Sequence, residues 1–343
     1  MKMALTLARI PKRPPFTLCH RVLMSGLAFC MILNGSVANA ENHEEAIYRH
    51  ALRATAWVVT PTAQGTGFLV DRFHRFLITN QHVVQDHDVA NVFFPIFNGD
   101  HAIGDRKHYI RYDRPIRGYV VARDRERDLA VVQLEVVPNS AAPLRISAAG
   151  AQTGHCVYLL GNPGLEKRLW VTNKGKVGRV GPETKRPNGQ REVHALFAEI
   201  GVDAPVLPGC SGGPALNEEG SLVGVTTLST GAVPKAAQAR RAAGVAVASA
   251  ACGPLHELAC LGILAEQNLR VAFCIDSREV EDVIQMVRSN KDRASRLLDP
   301  RSAADYRDRG SYFLKKSRPD LAERSFREAS RLDPRHQSPV LRP

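Results

Sequence analysis

The chain has 343 residues, 44% of them apolar, 23% charged and 6% aromatic, which excludes a staple-dependent miniprotein, a disordered chain and a polytopic membrane protein. At ~150 residues per domain it makes one large domain or two modest ones. A net charge of +12, from 46 basic and 34 acidic side chains, points to an anionic partner unless the charges fall in separable segments.

They do fall so. Residues 1–40 carry Lys2, Arg9, Lys12, Arg13 and Arg21 without an acid, then the apolar run Val22–Leu33, then Ala38-Asn39-Ala40. This order of basic region, short apolar region and A-x-A site is that of a secretory signal cut after Ala40. As a helix the apolar run would span about 18 Å at ~1.5 Å per residue, short of the ~30 Å hydrocarbon core. A cleaved signal is therefore expected rather than an anchor, with the remaining chain periplasmic or secreted and free of the membrane. Residues 41–287 hold 26 basic and 26 acidic side chains, and residues 288–343 hold 15 against 8. The positive charge thus sits in an export signal and a basic tail, and no nucleic-acid partner is expected.

From Thr55 to about Val287, short alternating apolar runs separated by turn residues predict an all-β barrel or sandwich architecture. The expected strands are 56–60, 67–70, 76–79, 89–94, 118–123, 129–134, 155–161, 174–180, 195–200, 213–216, 222–228 and 271–275, and twelve strands of this length suit two small barrels. An Ala-rich insertion is expected over about 230–270. Beyond it Val280, Val283, Ile284 and Val287 recur at helical spacing, predicting a helix that closes the β unit.

After Pro300, Gly310, Phe313, Ala322, Phe326, Ala329 and Pro334 stand at the packing offsets of a single tetratricopeptide-like unit over 301–335, followed by a flexible tail over 336–343. Its helices are expected over about 303–316 and 319–332. One such unit cannot bury its apolar face alone, so it packs on the β unit, on another copy or on a partner protein. A simple helical hairpin capping the β unit is the alternative.

Removal of residues 1–40 would leave Cys156, Cys210, Cys252, Cys260 and Cys274, an odd number. Cys252 and Cys260 read as a possible disulfide, although a helix between them would hold their Cα atoms about 12 Å apart, beyond the ~7 Å limit for bridging. Two thiols, or a zinc site with His256, are the alternatives, and no fourth ligand accompanies them. The remaining histidines lack ligand spacing, and no metal or cofactor is expected.

Three segments carry the chemistry. Gly65-Thr-Gly-Phe-Leu-Val and Phe76-Leu-Ile-Thr-Asn-Gln-His form a hairpin whose second strand is expected to end at His82. Arg127-Asp-Leu-Ala-Val-Val starts a strand at Asp128, and Gly209-Cys-Ser-Gly-Gly-Pro places Ser211 among glycines. A serine hydroxyl is a weak nucleophile that needs a base, and the base needs a carboxylate to fix its tautomer. Glycines beside the serine permit a tight turn whose N–H groups converge on a developing oxyanion.

These blocks, in this order, resemble the trypsin-like serine proteases of the HtrA/Deg type over about residues 50–290, and Leu159-Leu-Gly-Asn-Pro-Gly and Val271-Ala-Phe-Cys-Ile-Asp resemble that family's barrel strands. The resemblance implies a chymotrypsin-like double β-barrel over 41–290, general base His82, orienting acid Asp128, nucleophile Ser211 and oxyanion-hole backbone at Gly209 and Ser211. It also implies an S1 pocket near Pro205 and Val206 with Phe273 on its wall, and a substrate-pairing strand ending at Thr227 and Leu228. Without an acid in that pocket, small or medium apolar P1 residues are expected. Cys210 departs from the family's usual Asn or Asp, and a helical tail stands in place of a PDZ-like segment.

The function this implies is a serine endopeptidase acting through an acyl-enzyme on exported or unfolded proteins. The alternative is a catalytically silent peptide-binding chaperone or scaffold on the same fold.

Overall fold

In the computed structural model, the described residues are 43–112, 114–164, 168–185, 193–203, 206–227 and 271–334. The expected signal, Pro205, Leu228, the 230–270 insertion with Cys252 and Cys260, and the tail 336–343 lie outside them. The chain divides into two units at Ala46 and Ile47, and the second carries everything that follows.

Helical residues 47–54 lead into β1 (Thr55–Val59), β2 (Gln64–Asp71) and β3 (Phe76–Thr79). Helical turn α1 (Gln81–Val84) and strands β4 (Val89–Phe93), β5 (Phe97–Asn98) and β6 (His101–Ala102) follow. Helix α2 (Arg106–Tyr112), β7 (Ile116–Asp124) and β8 (Leu129–Leu134) complete the first half. The second half is β9 (Cys156–Gly161), β10 (Val171–Lys185), β11 (Val193–Val202), β12 (Pro214–Leu216), β13 (Leu222–Thr227) and β14 (Val271–Asp276), then helices α3 (Ser277–Ser289), α4 (Lys291–Leu298), α5 (Ala303–Lys315) and α6 (Pro319–Leu332). Two six-stranded barrels close, in the orders β1-β2-β3-β8-β7-β4 and β10-β11-β14-β13-β12-β9.

Period-two alternation explains how these barrels form a continuous core. On β1, Ala56 and Val58 fill the first barrel, while Trp57 faces a second apolar layer outside it. On β8, Val132 and Leu134 point in and Leu129 and Val131 point out. On β11, Ala198 and Ile200 enter the second barrel, whereas Ala195 and Phe197 join the outer layer. The outer layers merge into one cluster completed by Val280, Val283, Ile284 and Val287 of α3. Cys274 is a packing residue of β14, where burial pushes its thiol up to about 12 against the opposing hydrogen bond with Thr226.

Each expected strand lies on an observed one, but two differences matter. The second strand of the first hairpin ends at Thr79, not at His82, and His82 sits on α1. The Asn80 amide and the Gln81 N–H both turn to the carbonyl of Asp128, which leads the chain away from the sheet. Similarly, β8 begins at Leu129, with Asp128 just before it in a left-handed conformation (φ 55°). The short β5–β6 pair and α2 carry too few residues for a period to be read.

Three of the helices are capped at their starts by side chains. Asp276 accepts from the Arg278 N–H at α3, Asn290 from the Arg293 N–H at α4, and Ser302 forms a capping box with Asp305 at α5. Pro319 opens α6. Gly310 of α5 lets Phe326 of α6 approach, since a Cβ there would lie 2.7 Å from the ring. The α5–α6 hairpin rests on the β unit through ion pairs to Glu126 and Glu279.

Candidate active site

The first barrel supplies His82 from α1, just after β3, and Asp128 from the residue before the neighbouring strand β8. Asp128 accepts twice from His82: the backbone N–H reaches Oδ1 at 3.0 Å and Nδ1 lies 2.8 Å from Oδ2. The Thr227 hydroxyl adds a contact to Oδ2 at 3.3 Å. Asn80 and Gln81 hold the Asp128 carbonyl at 2.9 and 3.2 Å, so the acid is fixed at both its main chain and its side chain. Burial opposes charging of His82, but the charge and hydrogen bond of Asp128 outweigh it and hold the imidazole above the ordinary histidine value. Nδ1 occupied by a carboxylate leaves Nε2 as the nitrogen able to accept a proton.

The second barrel supplies Ser211 on a turn built by the absence of side chains. Gly209 has φ 102° and Gly212 φ 84°. A Cβ on Gly209 would sit 2.4 Å from the Asn162 carbonyl oxygen, and one on Gly212 would sit 2.1 Å from that of Thr66. Within this loop Cys210, Gly212 and Gly213 each donate their N–H to a carbonyl of the protein. Among the described residues, the N–H groups of Gly209 and Ser211 do not. A pair of uncommitted donors flanking a serine is suited to receiving an oxyanion. Cys210 turns its side chain onto β9, where a Cβ on Gly161 would meet its sulfur at 2.8 Å.

The two halves are stitched together by Thr66, a residue the sequence reading passed over. Its hydroxyl donates to the Gly209 carbonyl at 2.8 Å and accepts the Asn162 N–H at 2.9 Å, its N–H donates to the Ser211 carbonyl at 2.8 Å, and its carbonyl accepts the Thr79 hydroxyl. The flanking Gly65 is required because a Cβ there would meet the Val83 side chain at 2.6 Å and the Ser211 carbonyl at 2.9 Å. Ser211 thus lies against the element that carries His82. Among the described residues no hydrogen bond joins the Ser211 hydroxyl to the imidazole, a contact that commonly tightens only on substrate binding.

Arg106 of α2 is a second brace missed in the sequence. It lies 8% exposed and donates to the carbonyls of Asn162, Pro163 and Gly164 while stacking 5.0 Å from the Trp57 ring. That fixes the loop against which Gly209 packs. Of the expected substrate-binding residues, Val206 is half-buried against the second barrel's core, and Phe273 stands opposite Thr227 on the paired strands β14 and β13. No cluster able to hold a metal ion occurs among the described residues.

Residues 65–225 match the profile of the trypsin-like peptidase domain. Among curated proteins, the chain is 30% identical over 165 residues to "Protease Do-like 5, chloroplastic" of Arabidopsis thaliana, covering 48% of this chain and 47% of that one. It is 28% identical over 138 residues to "Serine protease HtrA-like" of Staphylococcus epidermidis, covering 39% and 24%. It is 29% identical over 171 residues to "Probable periplasmic serine endoprotease DegP-like" of Chlamydia trachomatis, covering 48% and 28%. The chain spans about half or less of the length of these relatives. Among solved structures, the Rv3671c protease of M. tuberculosis in its inactive form aligns with TM-score 0.47 and 19% identity, over 71% of this chain and 93% of that one.

Proposed function

We propose that this chain, which carries a trypsin-like peptidase domain related to the HtrA/Deg proteases, is a serine endopeptidase that cleaves exported or unfolded proteins. The observation that supports this best is the doubly bonded His82–Asp128 pair facing a glycine turn with two uncommitted N–H groups. In this reading an extended peptide adds as a strand beside β13. The Ser211 hydroxyl attacks the scissile carbonyl as His82 Nε2 takes its proton, and Asp128 stabilises the imidazolium through Nδ1–H. The N–H groups of Gly209 and Ser211 receive the oxyanion. His82 then returns the proton to the leaving amine, a peptidyl ester remains on Ser211, and water completes the cycle by the reverse route.

Val206, with Pro205 beside it in sequence, and Phe273 would form an apolar S1 pocket that accepts small or medium side chains such as Val, Ala or Leu. Thr227 and Leu228 would lie where the substrate strand pairs. A periplasmic or secreted site of action follows from the signal-like residues 1–40 and agrees with the periplasmic chlamydial relative. No helix of the described residues is long and apolar enough to cross a membrane. The α5–α6 hairpin is assigned as the tetratricopeptide-like unit.

The second reading is a silent peptide-binding scaffold on the same fold. Labelling by a fluorophosphonate that disappears in Ser211→Ala supports the peptidase. Failure of the unaltered chain to label at any pH, with or without unfolded substrate, supports the scaffold.

A further inference from the structure

The basic tail has a use that its charge alone does not reveal. Arg127, the residue before Asp128, has a side chain with no exposed surface, and its guanidinium meets three carboxylates: Asp124 at 2.5 Å, Glu279 at 3.1 Å and Asp282 at 2.9 Å. The backbone N–H groups of Glu126 and Arg127 donate to the same Asp124, which closes the β7–β8 turn. Beyond Arg127 the chain passes through Asp128 at φ 55°, a conformation that a non-glycine residue keeps only where its surroundings over-determine it. On one side those surroundings are Asn80, Gln81 and His82. On the other side they are Arg127 and its carboxylates.

The carboxylates are in turn held by the C-terminal hairpin. Glu279 gives Oε2 to Arg127 and Oε1 to Arg318 at 2.7 Å. Asp282 gives Oδ2 to Arg127 and Oδ1 to the Tyr312 hydroxyl at 2.6 Å, with Lys316 at 3.4 Å. Glu126 is paired by Arg309 and Arg324, and Phe313 stacks 5.6 Å from the Arg127 guanidinium. Without the hairpin, one buried arginine would face three carboxylates and an apolar gap, an imbalance that a low-dielectric site does not tolerate in place.

We propose that Arg127 is a positioning residue for Asp128 and that the α5–α6 hairpin, through Arg318 and Tyr312, keeps it in position, so that docking of the hairpin sets the competence of the His82–Asp128 pair. This rests on the peptidase reading for its consequence in rate, but not for its consequence in geometry. Release of the hairpin frees Arg127, lets Asp128 relax towards negative φ and turns its carboxylate away from Nδ1.

The test uses the full chain with Tyr312→Phe, Arg318→Gln, their combination, Arg127→Met and Arg127→Lys, and the exposed Arg327→Ala as control. Three quantities are read: the fluorophosphonate labelling rate against pH, peptide KM, and the low-field proton resonance of His82 Nδ1–H. The double variant is expected to stay folded by circular dichroism, label about tenfold more slowly and weaken the His82 resonance, with KM within about twofold. Its acid limb should move to lower pH, because His82 loses the charge that raises it. Arg127→Lys should recover part of the loss seen in Arg127→Met, and Arg327→Ala should match the unaltered chain. A folded double variant with unchanged rate and resonance overturns the proposal, as does a rate loss that merely tracks the unfolded fraction. Should the double variant fail to fold, Tyr312→Phe alone, which removes one hydroxyl, decides by the same resonance. If the unaltered chain never labels, the peptidase reading fails while the resonance still decides this one.

Discussion

The two barrels have the same strand number and a shared outer core, yet they hold their parts of the site by opposite means. The first barrel fixes His82 and Asp128 by side chains: the Asn80 amide and the Asp128 carboxylate converge on one acid–imidazole pair, to which the Thr227 hydroxyl of the second barrel adds a contact. The second barrel fixes the Ser211 turn by leaving side chains out, since a Cβ on Gly209 or Gly212 would strike backbone at 2.4 or 2.1 Å. The first half is therefore broken by subtraction and the second by addition.

The largest effect is expected from subtraction in the first half. Asp128→Asn should lower kcat by about 10⁴-fold with little change in KM, because the imidazole loses the partner that sets its tautomer. In the unaltered chain the rate should rise as His82 loses its proton, with a midpoint above the ordinary ~6.5, since Asp128 favours the imidazolium. Asp128→Asn leaves only burial acting on His82, so its acid limb should move to lower pH. A limb at unchanged pH would contradict the pairing.

Addition in the second half comes next. Gly209→Ala should cost about 10²–10³-fold in kcat, as for loss of one oxyanion donor, while the His82 resonance persists. Loss of both signals together would show that the halves are not separable. Thr66→Val tests the stitch between them. It orphans the buried Asn162 N–H and the Gly209 carbonyl, each worth about 1–3 kcal/mol, and urea unfolding should register the loss. An unchanged midpoint would remove Thr66 from the account.

The smallest effect is expected inside the α5–α6 hairpin. Gly310→Ala gains about 1 kcal/mol of helix propensity but drives a Cβ to 2.7 Å from the Phe326 ring, an overpacking that costs about 1–3 kcal/mol. Calorimetry should show a melting temperature lower by a few degrees, and a rise would mean that Phe326 yields easily.

What was legible in the sequence follows the same division. The strands were readable because both faces are apolar in alternation, as on β8, where Val132 and Leu134 fill one core and Leu129 and Val131 the other. The glycine turn was readable because its requirement is local: the residues that must lack side chains are adjacent to Ser211. The helical turn under His82 was not, since Asn80 and Gln81 leave the sheet for a carbonyl 48 residues away in the chain. The bracing roles of Thr66, Arg106 and Arg127 were invisible for that reason. Their partners are Gly209, Asn162, Glu279 and Asp282, and no period or motif links such positions. The basic tail was legible as a charge excess over residues 288–343, but the carboxylates that its arginines hold, such as Glu126 and Glu279, were not.

The central claim is that Ser211 is activated by the His82–Asp128 pair. Fluorophosphonate labelling of the full chain, followed by peptide mapping of the adduct, tests it most directly. The account predicts one adduct, on Ser211, formed faster as His82 deprotonates, slowed in Asp128→Asn and absent in Ser211→Ala. An adduct elsewhere, or no adduct in a folded chain at any pH, would contradict it.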